Sequence, residues 1–277
     1  FPYEPIMTVT APLFEAQLVE TALLCFINHQ TLIATTAARL CECTKSAISE
    51  FGLRRAQNAD AGVYGARAAY CRSTSNVYAG KEFNIPVKGT HSHSWVMSFP
   101  SEYEAFKAYA SIYPDGCLLL VDTYDTLKSG VPNAIRVFKE LREKGYEPLG
   151  IRLDSGDLSY LSKKARTMLD EAGFPNTKIF ASNDIDENVL TALKAQEAKI
   201  DVFGVGTKLI TSFNNAALGG VYKLAGIVED GKIIPKIKIS ETTAKITNPG
   251  FKTIYRIYDN STNKAEADLI ALRGEKI

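Results

Sequence analysis

From about residue 84 the chain alternates between two patterns. Short β-branched or leucine-rich runs end in a polar cluster, and each is followed by a stretch with apolar positions three and four apart. The runs are IPVKGT (85–90), CLLLVDT (117–123), LGIRLDS (149–155), KIFASND (178–184) and DVFGVGT (201–207). Helical periodicity fills the intervals, for example over 131–145 and 157–173, with Gly145 and Gly173 as the glycines that end a helix. The runs start about 32, 32, 29 and 23 residues apart. That is the spacing of βαβ units, whose crossovers force neighbouring strands to be parallel.

Each predicted strand ends in polar or glycine chemistry: GTHSH, VDTYD, RLDSGD, SNDID and GVGTK. In a doubly wound sheet only the strands at the switch point would supply ligands, whereas a closed barrel gathers all its strand ends on one face. Five decorated ends in succession predict an α/β fold of the TIM-like, irregular barrel kind. Before it, a short β-like opening gives way at Pro12 to one helix running to about Leu40, with Phe14, Leu18, Ala22, Cys25 and Phe26 on its apolar face. After about Val221, KIIPKIKIS, TIYRIYD and the Asp230-Gly231 turn read as antiparallel strands. The expected organisation is 1–45 as the remnant of an N-terminal α/β domain with a linking helix, 46–222 as the barrel, and 223–277 as a β-rich return to that second, α+β domain.

Composition adds exclusions. The 277 residues are 45% hydrophobic and 23% charged, with 32 Lys+Arg against 31 Asp+Glu. A net charge of +1 gives no field to attract nucleic acid or an anionic membrane, so neither is an expected partner and any anion must be held locally. No apolar run approaches the ~20 residues of a membrane span, and FPYEPIMTVT lacks the basic and apolar regions of a signal peptide. Five cysteines are an odd, sparse set that fits a reducing cytoplasm; Cys41-x-Cys43 has neither the usual zinc spacing nor a second pair. His29 reads as a packed or surface histidine. Phe1 in place of Met reads as the start of a fragment.

The candidate chemistry lies at the strand ends. Two glycines in Gly204-Val205-Gly206-Thr207-Lys208 would let backbone N–H groups approach a phosphate, with the Thr207 hydroxyl beside them. In RLDSGD, Arg152 can grip phosphate oxygens while Asp154 and Asp157 can hold Mg²⁺; an Arg–Asp pair that merely closes the turn is the competing reading. Asp122 offers a further Mg²⁺ or ribose-hydroxyl ligand. His91 and His93 flank a serine in GTHSHSW, and acid–base or nucleophilic work fits them better than zinc, because no third matching ligand is evident. In EFGLRRAQ, Arg54 and Arg55 would point to opposite faces if extended, leaving one to meet a carboxylate or phosphate.

Taken together and in order, EFGLRRAQ, TSNVYAGKEFNIPVKGTHSHSW, VDTYDTLKSGVPNAI, IRLDSGDLSYLSKKAR, ASNDIDE and DVFGVGTKLITS resemble the nicotinate phosphoribosyltransferase family, from Glu4 to about Asp268. The resemblance implies a cytoplasmic, homodimeric transferase of NAD salvage. It would join nicotinate to 5-phosphoribosyl-1-pyrophosphate, giving nicotinate mononucleotide and pyrophosphate, with Mg²⁺ and with ATP hydrolysis coupled through a phosphohistidine. It carries the phosphorylated histidine onto His93 and not His91. Thr90 falls near nicotinate, Arg54 at a substrate contact, and Arg152, Asp154 and Thr207 around the phosphoribosyl group, with Asp122 and Gly206 beside them. Family members start well upstream of the residue matching Phe1, and that part carries an aromatic that stacks on nicotinate across a dimer interface. They also extend beyond the residue matching Ile277. Cys71-Arg72-Ser73 is shorter than the glycine-rich stretch usual before TSN, which leaves the role of Ser75 open. The competing readings are a sister enzyme acting on nicotinamide or quinolinate, and an inactive nucleotide-binding barrel fragment.

Overall fold

The computed structural model describes residues 4–241 and 246–277. Its centre is a six-stranded, wholly parallel sheet of β1 (Ala47–Glu50), β2 (Ser73–Thr74), β3 (Leu118–Leu120), β4 (Gly150–Leu153), β5 (Lys178–Ser182) and β6 (Val202–Val205). The spatial order is β2-β1-β6-β5-β4-β3: strands consecutive in sequence lie side by side except β2 and β3, which form the two edges, and the last strand pairs with the first. Two further contacts lie at the ends of that order. Val87 makes a parallel bridge to Thr74, and the His91 ring accepts a hydrogen bond from Leu120 N–H at 3.2 Å. The predicted strand over 85–90 is present only as that bridge.

The pleat gives the sheet two different faces. In register, Leu120, Arg152, Phe180, Val202 and Ala47 share one face, followed toward the carboxyl ends by Ser182, Gly204, Ser49 and Ser73. Their alternates Leu119, Ile151, Leu153, Ile179, Ala181, Phe203 and Ile48 join the main core with the helices. This is why the runs read as continuously apolar until their last residues: both faces are covered, and only the carboxyl ends carry polar groups.

Helices α1 (Leu13–Leu18), α2 (Glu20–Cys43), α3 (Ala59–Ala69), α4 (Val77–Phe83), α5 (His93–Met97), α6 (Glu102–Ile112), α7 (Val131–Glu143), α8 (Leu158–Glu171), α9 (Glu187–Ala195) and α10 (Thr207–Ile210) complete this part of the chain. Local chemistry sets their starts. Asn58, Ser101, Asp157 and Asp186 each accept a backbone N–H two or three residues into the following helix. Pro132 sits in the first turn of α7, whose Val131, Ala134, Val137, Phe138 and Leu141 form its buried stripe.

Residues 27–218 form one compact unit, and the described residues up to Phe26 form a second with those from Gly219 onward. The second contains two antiparallel pairs, β7 (Gly226–Glu229) with β8 (Lys232–Pro235) and β9 (Lys252–Asp259) with β10 (Lys264–Leu272). Asp230 and Gly231, both at positive φ, make the first turn, as the DG signal predicts. The β7–β8 ladder reaches Pro235 of KIIPKIKIS, with one further backbone bond from Lys236 N–H to Ala225 O at 3.0 Å. Among the described residues the opening 4–11 holds no strand; residues 1–3 of the expected β-like start lie outside them. The single helix expected from Pro12 is two, divided at Val19; α1 buries none of its residues, and its Ala16 carbonyl accepts the Tyr222 hydroxyl at 2.7 Å.

Gly130 ends a π-helical turn, Thr126–Gly130, that leads from the end of β3 into α7. A Cβ there would stand 1.8 Å from the backbone oxygen of Val121, which cannot rotate away. We expect Gly130→Ala to lose about 2–4 kcal/mol in urea unfolding, against a change within about 0.5 kcal/mol for Gly116→Ala, whose Cβ would meet nothing within 4 Å. Equal stabilities for the two variants would contradict this account of the turn.

Candidate active site

The ends of β4 and β5 and the segment at Thr90 meet around one guanidinium. Arg152, on the polar-ended face of β4, donates from Nε to Ser182 Oγ at 2.8 Å, from Nη1 to Thr90 Oγ1 at 2.8 Å and from Nη2 to Asp154 Oδ1 at 2.8 Å. Its side chain is 18% exposed, so these partners largely replace water. The Phe51 ring lies 5.4 Å from the guanidinium carbon, and it fits there because Gly204 has no side chain: a Cβ on Gly204 would come within 2.5 Å of the ring.

Asp154 is held from both sides. Its Oδ1 accepts from Arg152 and from Ser182 Oγ. Burial pushes its carboxyl upward, but the Arg152 charge, the hydrogen bonds from Ser182 and Arg152, and His93 together hold it below the usual carboxylate range. Asp122 has a side chain only 2% exposed, and its Oδ2 accepts from Asp154 N–H at 2.8 Å and Ser155 Oγ at 2.5 Å. Its Oδ1 has no hydrogen-bond donor among the described residues. The oxygens these bonds leave over, Asp122 Oδ1 and Asp154 Oδ2, face the same atom, His93 Nε2, at 3.8 and 3.7 Å. The other ring nitrogen, Nδ1, shares a hydrogen bond with Thr123 Oγ1 at 3.1 Å.

The arrangement joins a half-exposed imidazole, one buried and one partly buried carboxylate and a fixed cation. It can hold an anion at Arg152, keep two negative charges beside a histidine that must gain or lose charge, and offer free carboxylate oxygens to a cation. Mg²⁺ suits one or two carboxylates completed by substrate phosphates, and the orphaned Asp122 Oδ1 with Asp154 Oδ2 fits that requirement. Among the described residues no group of three or more His, Cys, Asp or Glu forms a metal cluster.

Of the residues picked from sequence, Thr90, His93, Asp122, Arg152 and Asp154 come together here. Asp157 instead caps α8, accepting Tyr160 N–H at 2.9 Å. His91 is 7% exposed and structural: Nε2 takes the Leu120 N–H, and the ring packs on Tyr109 and Phe106. Arg54 and Arg55 are not extended; they occupy a 3₁₀ turn, Leu53–Arg55, both are exposed, and neither has an ion pair among the described residues. Gly206 lies against the backbone of Phe51, where a Cβ would be 3.2 Å from its oxygen, and Thr207 begins α10. Thr123, Ser155 and Ser182 were missed. Each follows a polar strand end already singled out, and hydroxyls there carry no spacing signal of their own.

A sequence profile of the nicotinate phosphoribosyltransferase (NAPRTase) family matches residues 46–264. The chain is 57% identical to the nicotinate phosphoribosyltransferase of Bacillus subtilis (strain 168), over 100% of its own length and 57% of the relative's. It is also similar to the crystal structure of human nicotinic acid phosphoribosyltransferase, with a TM-score of 0.81 and 30% identity over 96% of this chain and 60% of that one. Nicotinate-nucleotide pyrophosphorylase from Pyrococcus furiosus shares the fold, with a TM-score of 0.71 at 23% identity, covering 93% of this chain and 62% of that one. The chain therefore spans little more than half the length of the curated relatives it matches. Among the described residues no helix is long and apolar enough to cross a membrane.

His91 supplies a pH test of this assignment. Burial lowers its pKa to about 4 from an ordinary 6.5, so as pH falls below 6.5 the unfolded chain binds a proton that the folded ring refuses. Stability is full above pH 6.5 and declines toward pH 4, by about 2 kcal/mol at pH 5. In His91→Gln, whose amide oxygen can accept the Leu120 N–H, urea unfolding at pH 7 and pH 5 should lack this component. A variant with the same pH dependence as the parent would overturn it.

Proposed function

The chain belongs to the nicotinate phosphoribosyltransferase family, and from that premise we propose that it joins nicotinate to 5-phosphoribosyl-1-pyrophosphate, with ATP hydrolysis coupled through a phosphohistidine at His93. The observation that carries the reading is the convergence of Asp122 Oδ1 and Asp154 Oδ2 on His93 Nε2, beside the Arg152 network. A histidine that only packed would not have the two free carboxylate oxygens of the site turned toward it.

Displacement at the ribose anomeric carbon builds positive charge on the sugar and negative charge on the leaving pyrophosphate. Arg152 is set to hold phosphate oxygens, its planar fork already oriented by Ser182 and Asp154. Thr90 stands at the same guanidinium and would meet the nicotinate side, while Arg54, exposed and without an ion pair among the described residues, would take the nicotinate carboxylate. Gly206 and Thr207 would face the phosphoribosyl group. Asp122 and Asp154 would hold Mg²⁺, which when bound neutralises charge on pyrophosphate. His93, oriented by Thr123, would accept the γ-phosphoryl of ATP on a ring nitrogen as ADP departs, and later hydrolysis would return the free imidazole.

The same proposal reads the parallel sheet as an irregular TIM-like barrel over 46–222, with 1–45 and 223–277 belonging to a second domain. Its supports are the cyclic strand order, the bridge at Val87 and the likeness to the human structure. The family likeness is what supports reading it as a cytoplasmic homodimer.

Labelled ATP should leave acid-labile phosphate on the parent protein and on His91→Gln but not on His93→Ala. His93→Ala should keep a slow, ATP-independent transfer; ADP release still stimulated by substrates in that variant would sink the assignment. Product formation from nicotinate but not nicotinamide separates the sister enzymes, and no pyrophosphate release from nicotinate and phosphoribosyl pyrophosphate would leave the inactive-barrel reading.

A further inference from the structure

Glu50 ends β1 on the face opposite Ser49 and Phe51, and it is 0% exposed. Among the described residues no basic side chain pairs with it, so a carboxylate is buried at a strand end without a cation. Burial pushes its carboxyl up, opposed by hydrogen bonds from Thr74 and Gly52. Such a group is costly unless its hydrogen bonds do something an apolar residue could not.

Those bonds run to two different turns. Oε1 accepts the N–H of Gly52, the residue that begins the 3₁₀ turn of Leu53, Arg54 and Arg55, and Gly52 O in turn accepts Arg55 N–H at 2.8 Å. Oε2 accepts the Thr74 hydroxyl at 2.6 Å, while the Glu50 backbone oxygen accepts Ser75 N–H at 2.9 Å. The Thr74 hydroxyl also accepts Asn76 N–H at 3.0 Å, and the Asn76 side chain caps α4. The turn also packs through Gly52 against Ile210 and through the Leu53 side chain against Gly62, but the two arginine side chains are exposed and make no ion pair among the described residues.

We infer that Glu50 is a positioning residue for nicotinate recognition: from beneath the sheet its carboxyl locks the arginine turn to the Thr74-Ser75-Asn76 turn, so that Arg54 is presented in one orientation to the substrate carboxylate. This rests on the function proposed above. Glu50 itself cannot reach the substrate, since the pleat points it away from Arg152 and Phe51. Its role is geometric. Glutamine can still accept from Gly52 N–H and can donate to the Thr74 oxygen, whereas aspartate is one methylene too short to span both turns.

The test is steady-state kinetics of the full chain with nicotinate and with phosphoribosyl pyrophosphate varied separately, joined to amide hydrogen exchange. Glu50→Ala and Glu50→Asp should raise KM for nicotinate about tenfold or more, with KM for phosphoribosyl pyrophosphate and kcat within about threefold, and Glu50→Gln should restore the parent value. The Gly52 and Arg55 amides should exchange at least about tenfold faster in Glu50→Ala and at the parent rate in Glu50→Gln. Both KM values rising together, or Glu50→Gln behaving as Glu50→Ala, would overturn the inference. If the parent turns over no nicotinate, the proposed function falls instead, and exchange still decides whether Glu50 holds the turn: unchanged Gly52 and Arg55 rates in Glu50→Ala would refute that separately.

Discussion

A guanidinium on a covered face of a sheet must find acceptors or it will not stay there. Arg152 finds three, contributed by β4's own end, by Ser182 at the end of β5 and by Thr90 in the segment beyond the Val87 bridge. Each donor fixes a different stretch of chain, and the rest of the site follows from those positions. Asp154 is turned so that one oxygen is used and the other is left facing His93, and its backbone N–H closes on Asp122. The requirement runs in the other direction as well. Phe51 can lie under the guanidinium only because Gly204 has no Cβ, so a glycine on β6 is a condition for the aromatic ring beneath the arginine of β4.

The pleat divides the work between the two faces of the sheet. One face carries the polar cluster that would meet substrate, and the other carries the apolar core together with one buried carboxyl, Glu50. The helix-side face is thus not purely a packing surface. A strand end offers two successive residues pointing opposite ways, so the residue before a substrate-facing position is well placed to brace the turn from behind.

Much of the fold was legible in the sequence because the signals were local. Apolar runs with polar ends, the helical periodicity over 131–145 and 157–173, and the Asp230-Gly231 turn each depend on a few adjacent residues. What escaped notice was short or non-local. β1 and β2 are four and two residues long, too brief to show alternation, yet β1 is the strand that pairs with β6. The 85–90 run has strand composition and makes one bridge, because pairing depends on what lies beside it. The two arginines read as an extended pair adopt a 3₁₀ turn instead, held by a hydrogen bond from Gly52 to Glu50 that no spacing rule would suggest.

By itself the sequence determined the chemistry available: which residue types stand at the strand ends, and in what order. It also carried a family likeness strong enough to name the reaction to be tested. Residue types and spacing left two histidines two residues apart open, and the family likeness pointed to His93. What the tertiary structure decided is how different their surroundings are: the His91 ring is buried against Tyr109 with its nitrogen on the Leu120 N–H, and His93 is half-exposed before two carboxylates. The reason is physical: a side chain's protonation, partners and access are set by groups distant in sequence. Asp122 and Asp154 reach His93 from β3 and β4 only once the sheet has formed.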